Sequence, residues 1–67
     1  MTIYNTRQAA KFLGLKPSTL EVWRSRGGAE LPFVKLGRTV RYREIDLLNF
    51  INGNIRQNTS QNEGLRS

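Results

Sequence analysis

The sequence predicts a small α+β domain of two short helices joined by a tight turn, a two-stranded β-hairpin and a third helix. Three observations predict it. Helix start and stop signals occur twice in quick succession, from Asn5 to Gly14 and from Pro17 to Gly27-Gly28. Two β-prone runs then flank Gly37-Arg38, and beyond them Leu47, Phe50 and Ile51 repeat at helical spacing. A chain of 67 residues holds one domain. A domain of that size buries only about 60% of the surface its unfolded chain exposes, so its core has to be economical.

The first helix is signalled by Asn5-Thr6-Arg7-Gln8, a capping box with Asn in place of the usual Ser or Thr. It is expected to run to Leu13, with Ala9, Ala10 and Leu13 facing inward. Gly14 is placed to end it in the left-handed conformation. The second helix is expected from Pro17, a residue favoured at the first helical position, to about Arg26. Leu20 and Trp23 share its apolar stripe, and Gly27-Gly28 stops it. Two short helices joined by a link containing Gly make the helix-turn-helix arrangement. Trp23 is expected in the core, and its truncation to alanine is expected to unfold the domain.

The hairpin is expected over Leu31–Leu36 and Thr39–Tyr42, with Gly at the first central position of its turn. A two-residue loop sets Val34 opposite Arg41 and mixes polar and apolar residues on each face. A longer loop or a bulge fits equally, so the register stays open. The third helix is expected from Glu44 to Asn52, ended by Gly53. Residues 53–67 are polar, lack aromatics and read as a disordered tail, which leaves residues 1–52 as the domain.

Lys and Arg number 11 against 5 Asp and Glu, a net charge of +6, and residues 1–52 carry +5 of it. The charge therefore belongs to the folded part and favours a polyanion: nucleic acid or an anionic membrane surface. No apolar run approaches the roughly 20 residues of a membrane span, and Met1 opens on a polar segment, so no signal peptide is expected. The absence of Cys and His removes thiolate metal sites, disulfides and the commonest catalytic base. The carboxylates form no motif pair, and no nucleophile has a base beside it. Neither an enzyme nor a cofactor is expected. The lack of cysteine fits a reducing compartment, and the expected location is cytoplasmic.

The second helix carries the most specific signal. At about 100° per residue, the buried stripe through Leu20 and Trp23 leaves an opposite face made of Ser18, Glu21, Val22 and Ser25. Thr19 and Arg26 flank it on one side, Pro17 and Arg24 on the other. A solvated face is normally filled with Lys, Glu and Gln; this one is small and polar with a single valine. Small residues let a backbone approach closely, Ser bonds base edges or phosphate, and Val22 suits a thymine methyl group. An exposed valine alone needs no such explanation. Glu21 has three readings: a cytosine N4 acceptor, a partner for a neighbouring Arg, or a group that repels phosphate. Lys16 opposes the helix dipole unless a phosphate lies between them.

The hairpin adds Lys35, Arg38, Thr39, Arg41 and Arg43. A Gly-Arg tip fits a wing that reaches a phosphate or the minor groove. Basic residues on strand edges also block edge pairing, and for Lys35 and Arg43 both readings stand. Arg41 either contacts DNA or clamps helix ends. The expected DNA-binding residues are thus Lys16, Ser18, Thr19, Glu21, Val22, Ser25 and Arg26 from the helix, and Lys35, Arg38, Thr39 and Arg41 from the hairpin. No metal-binding or catalytic residue is expected.

Taken together, Tyr4-Asn5, Ala9-Ala10, Leu13-Gly14-Leu15, Ser18-Thr19-Leu20, Trp23, Leu31-Pro32, Lys35-Leu36-Gly37-Arg38, Arg41-Tyr42, Asp46-Leu47 and Phe50-Ile51 resemble the excisionase/MerR-like helix-turn-helix family. The resemblance covers about residues 3–52. It implies a winged helix-turn-helix fold and double-stranded DNA as partner. The second helix would enter the major groove and the Arg38 wing the adjacent minor groove. It further implies an excisionase (recombination directionality factor). Such a protein binds beside an attachment site, bends the DNA and assists a cognate integrase in excising a mobile element. The alternative is a small transcriptional regulator of a phage or mobile element. The sequence departs from the family pattern at Lys16, where a Ser or Thr cap is common, at Gln8 for Glu and at Phe50 for Trp. The recognition face is also poor in cations, which points to several copies binding side by side. A protein-interaction module with incidental charge is the competing class. It would bind duplex only weakly and through salt-dependent contacts.

Overall fold

The computed structural model describes residues 2–56. The local signals form as written. In α1 (Thr6–Leu13) the Asn5 side chain accepts from the Gln8 N–H at 2.7 Å, and the Gln8 side chain accepts from the Asn5 N–H at 2.9 Å. Both halves of the capping box are therefore made. Gly14, at φ 74°, closes the helix. Its N–H donates to the Lys11 carbonyl and the Leu15 N–H to the Ala10 carbonyl, the paired bonds of a Schellman motif. That left-handed residue turns the chain directly into α2 (Pro17–Arg26), which Lys16 precedes with no side-chain cap.

Among the described residues the sheet has three strands rather than two. Its order is β1 (Ile3–Tyr4), β3 (Thr39–Arg43), β2 (Val34–Leu36), antiparallel throughout. A two-residue strand is too short to show a period, and Asn5 directly after it reads as a helix start. The hairpin takes the two-residue loop. Leu36 faces Thr39, Val34 faces Arg41, and Gly37 turns at φ 64° as a primed turn requires. Alternation then divides the sheet. Tyr4, Val40 and Tyr42 face the helices, while Ile3, Val34, Leu36, Thr39, Arg41 and Arg43 face away. No layer covers that outer face among the described residues, which is why its mixture of polar and apolar side chains is tolerated.

The core is Ala9, Ala10, Leu20, Leu31, Tyr42 and Leu47, with Tyr4, Phe12, Leu13, Trp23, Val40 and Phe50 packed against it. The two alanines let α1 approach its neighbours closely. Two expectations need correction. Trp23 is only half-buried, resting on Phe50 with ring centroids 5.5 Å apart. Ile51, placed on one apolar helical face with Leu47 and Phe50, is 39% exposed, on the rim of a groove with Leu15 and Ile55.

α3 spans Glu44–Gly53, so Gly53 lies in the last turn and Asn54, its side chain donating to the Phe50 carbonyl, caps the helix. The disordered tail expected beyond it falls, from residue 57 onward, outside the described residues. No helix among the described residues is long and apolar enough to cross a membrane.

Asp46 is the one buried acid among the described residues. Arg43 grips it side-on, Nε at 2.6 Å and the second terminal nitrogen at 2.8 Å. Those hydrogen bonds hold the Asp46 carboxyl below its ordinary value; burial opposes them and the Arg43 charge adds to them. A carboxyl lowered by folding contributes stability that is complete above its unfolded value of about 4 and is lost as pH falls through the folded value. Asp46→Asn is therefore expected to lower Tm at pH 7 and to flatten the fall of Tm between about pH 5 and pH 2. The effect is modest, because Arg43 remains 42% exposed and solvent screens the pair. Thermal melts across that range check it; an acid limb identical to wild type would remove Asp46 from the account.

Candidate nucleic-acid interface

Leu20, 1% exposed, fixes α2 against the core, so the opposite face must look outward. Ser18, Glu21, Val22 and Ser25 are all exposed, Val22 at 47%. Thr19 is half-buried at the edge of that face. Lys16 and Arg26 are exposed at the two ends of the helix, about 15 Å apart along its axis at 1.5 Å per residue. The first turn of α2 carries no acid, while Arg24 and Arg26 sit in its last turn, where the helix dipole favours cations. The Ser25 hydroxyl points back to the carbonyls of Glu21 and Val22, at 3.2 and 3.3 Å. Its proton is thus committed to its own helix, and Ser25 offers a partner lone pairs only.

On the hairpin, Lys35, Arg38 and Thr39 are exposed and Arg38 stands at the tip. Arg41 is half-buried on the outer face of the sheet and donates to the carbonyl of its neighbour Val40 at 2.8 Å. Clamping of helix ends falls instead to Arg43, on Asp46, and to Arg24. Arg43 stands on β3, the central strand, so it guards no sheet edge; its guanidinium is committed to Asp46 instead.

Helix and hairpin meet along a seam, a shallow concavity of ≈ 310 Å³ lined by Glu21, Arg24, Ser25, Phe33, Lys35 and Val40. It joins Glu21 and Ser25 of α2 to Lys35 of the wing. Arg38 and Thr39 lie beyond it at the tip, and Lys16 at the far end of the helix. Three residues of the seam, Arg24, Phe33 and Val40, were not among the expected site residues. Arg24 donates to the Thr6 and Tyr42 hydroxyls, at 3.2 and 2.9 Å, and its guanidinium lies 6.0 Å from the Phe33 ring centroid. The signal for Arg24 was its angle, one helical turn beyond Leu20, which turns it toward the sheet.

Among the described residues the only salt bridge is Arg43 with Asp46, so Lys16, Arg26, Lys35, Arg38 and Arg41 meet no carboxylate within 4.0 Å. Unneutralised cations on one helix and its adjoining hairpin make a field suited to a polyanion. In DNA-binding helix-turn-helix units the second helix is the one that enters the major groove.

No curated protein matches the chain. A family model described as a helix-turn-helix domain matches residues 3–55, a span that takes in every helix and strand of the described residues. In sequence and in fold, the chain belongs to the helix-turn-helix domain family, with DNA as its partner.

Proposed function

We propose that the protein is a sequence-specific duplex-binding excisionase that acts beside an attachment site, bends the DNA and assists an integrase in excising a mobile element. In this reading α2 lies in the major groove, with Ser18 and Val22 against base edges and Glu21 and Ser25 accepting from them. Lys16 and Arg26 meet phosphates at the two ends of the helix. The hairpin is a wing: Arg38, flanked by Thr39, enters the adjacent minor groove, and Lys35 and Arg41 meet backbone.

One observation carries the excisionase role over that of a promoter regulator. The outward centre of α2 holds Ser18, Glu21, Val22 and Ser25, with one carboxylate and no cation. Such a face makes few strong base contacts, so a single copy, held mainly by the phosphate contacts of its flanks, discriminates weakly between sites. Useful occupancy then requires several copies side by side on repeated sites, an arrangement that also bends DNA and recruits an integrase. The motifs shared with the excisionase/MerR-like pattern support the same role.

Unbiased binding-site selection from the source genome, followed by footprinting, tests it. Closely spaced repeats beside an integrase attachment site are expected. Sites confined to promoters would make the protein a transcriptional regulator, and no enrichment above a salt-sensitive background would overturn sequence-specific binding. On a selected site, Val22→Ala is expected to lose about 1 kcal/mol of cognate binding, roughly fivefold, from the two methyl-sized contacts removed. Ser18→Ala is expected to act in the same direction. Competition assays with cognate and random duplex check both. Equal losses on the two DNAs would take these residues out of base reading.

A further inference from the structure

Arg24 lies on α2 and ties it to the start of α1, to β3 and to the seam with the wing. Its NH1 group has two protons, and both are committed: one to the Thr6 hydroxyl at the start of α1, one to the Tyr42 hydroxyl on β3. Arginine carries five N–H donors. The side-on edge, Nε–H with NH2, therefore remains, and among the described residues it has no partner. This is the same edge by which Arg43 grips the Asp46 carboxylate. It is the fork that matches carboxylate or phosphate in two parallel hydrogen bonds.

The surroundings decide between those two anions. Arg24 lines the helix–wing seam with Ser25 and Lys35, under Phe33. Glu21 lines the seam too, yet no carboxylate oxygen of the described residues comes within 4.0 Å of Arg24. The seam lacks an internal anion for this fork, although the guanidinium is held by two hydroxyls from different elements. A duplex that takes α2 in its major groove and the wing tip in the adjacent minor groove must carry one sugar–phosphate strand between the two grooves. That strand crosses the seam.

We propose that Arg24 is a phosphate-binding residue, its guanidinium preset by Thr6 and Tyr42 to grip the DNA backbone between the two grooves. The proposal rests on the duplex-binding reading above. It gives Tyr42 a second task besides filling the core, and it explains why a cation stands at a position that the helix turns toward the sheet.

The test is the salt dependence of binding to a cognate and to a random-sequence duplex. Arg24→Met keeps the aliphatic stem beside Phe33 and removes the charge. It is expected to lower the slope of log K against log salt by about 0.9 and to weaken both duplexes alike. Arg24→Lys should keep the slope. A wild-type slope in a folded Arg24→Met variant, whatever its affinity, would overturn the proposal and leave Arg24 a packing residue. Should Arg24→Met not fold, the wild-type protein answers the same question through its Arg24 Nε–H resonance. A shift and slowed solvent exchange on adding duplex support the proposal; an Nε–H that duplex leaves untouched overturns it. Wild-type protein that binds no duplex would instead overturn the duplex-binding reading itself.

Discussion

Leu20→Ala is expected to leave the protein at the edge of unfolding at 25 °C. The side chain is 1% exposed and sits where α2 meets the core built by Ala9, Ala10, Tyr42 and Leu47. Removing a buried Leu side chain costs about 2–5 kcal/mol. A chain of this length has roughly 3–10 kcal/mol in all, at 0.05–0.15 per residue. The loss has a functional side as well, because Leu20 is the inward anchor of the helix whose outward face carries Ser18 and Val22. Trp23→Ala, the larger loss by residue type alone, is expected to cost less, about 2 kcal/mol. Trp23 is half-buried, resting on Phe50 and beside the exposed Gly28. Urea unfolding followed by far-UV circular dichroism measures both. Leu20→Ala proving milder than Trp23→Ala would reverse the assigned core.

Arg38→Ala is expected to have the largest single effect on DNA binding. Arg38 is exposed at the hairpin tip, the two-residue loop leaves no room for a substitute, and no carboxylate of the described residues neutralises it. A charge-assisted hydrogen bond contributes about 1.5–3 kcal/mol. At a surface tip the lower figure applies, so the affinity should fall roughly tenfold. A phosphate contact also requires the salt slope to drop by about one unit. A contact confined to a minor-groove base edge would show the affinity loss with a smaller change of slope, so salt titration of this variant distinguishes the two. An affinity equal to wild type would remove the wing from the interface.

Local chemistry was the legible part of this fold. Asn5 with Gln8, Gly14, Pro17 and Gly37 each act within a few residues of chain, and each does what its side chain dictates alone. The third helix was legible through Leu47 and Phe50. What escaped depended on partners distant in sequence. Ile3–Tyr4 becomes a strand only because Arg43 and Tyr42 present an open edge to it. Trp23 shares an angular stripe with Leu20, but the elements around it cover only one side, so periodicity placed it deeper than packing does. The outward face of α2 followed from angles. The hydrogen bonds within it did not: periodicity cannot show that Ser25 turns its proton back to its own helix, nor that Arg24 finds two hydroxyls from α1 and β3. For Arg43 two readings stood side by side until the start of α3 brought Asp46, three residues on, against it, while register put Arg41 on the outer face of the sheet.

The most direct test is to titrate the full chain with a duplex bearing its selected site and follow every backbone amide by NMR. The largest shifts are expected on α2 at Ser18, Val22 and Ser25, and at the wing tip around Gly37 and Arg38. The groove rimmed by Leu15, Ile51 and Ile55 should stay still at stoichiometric duplex. Shifts confined to that groove and to α3, with α2 and the wing unmoved, would contradict the helix-and-wing interface.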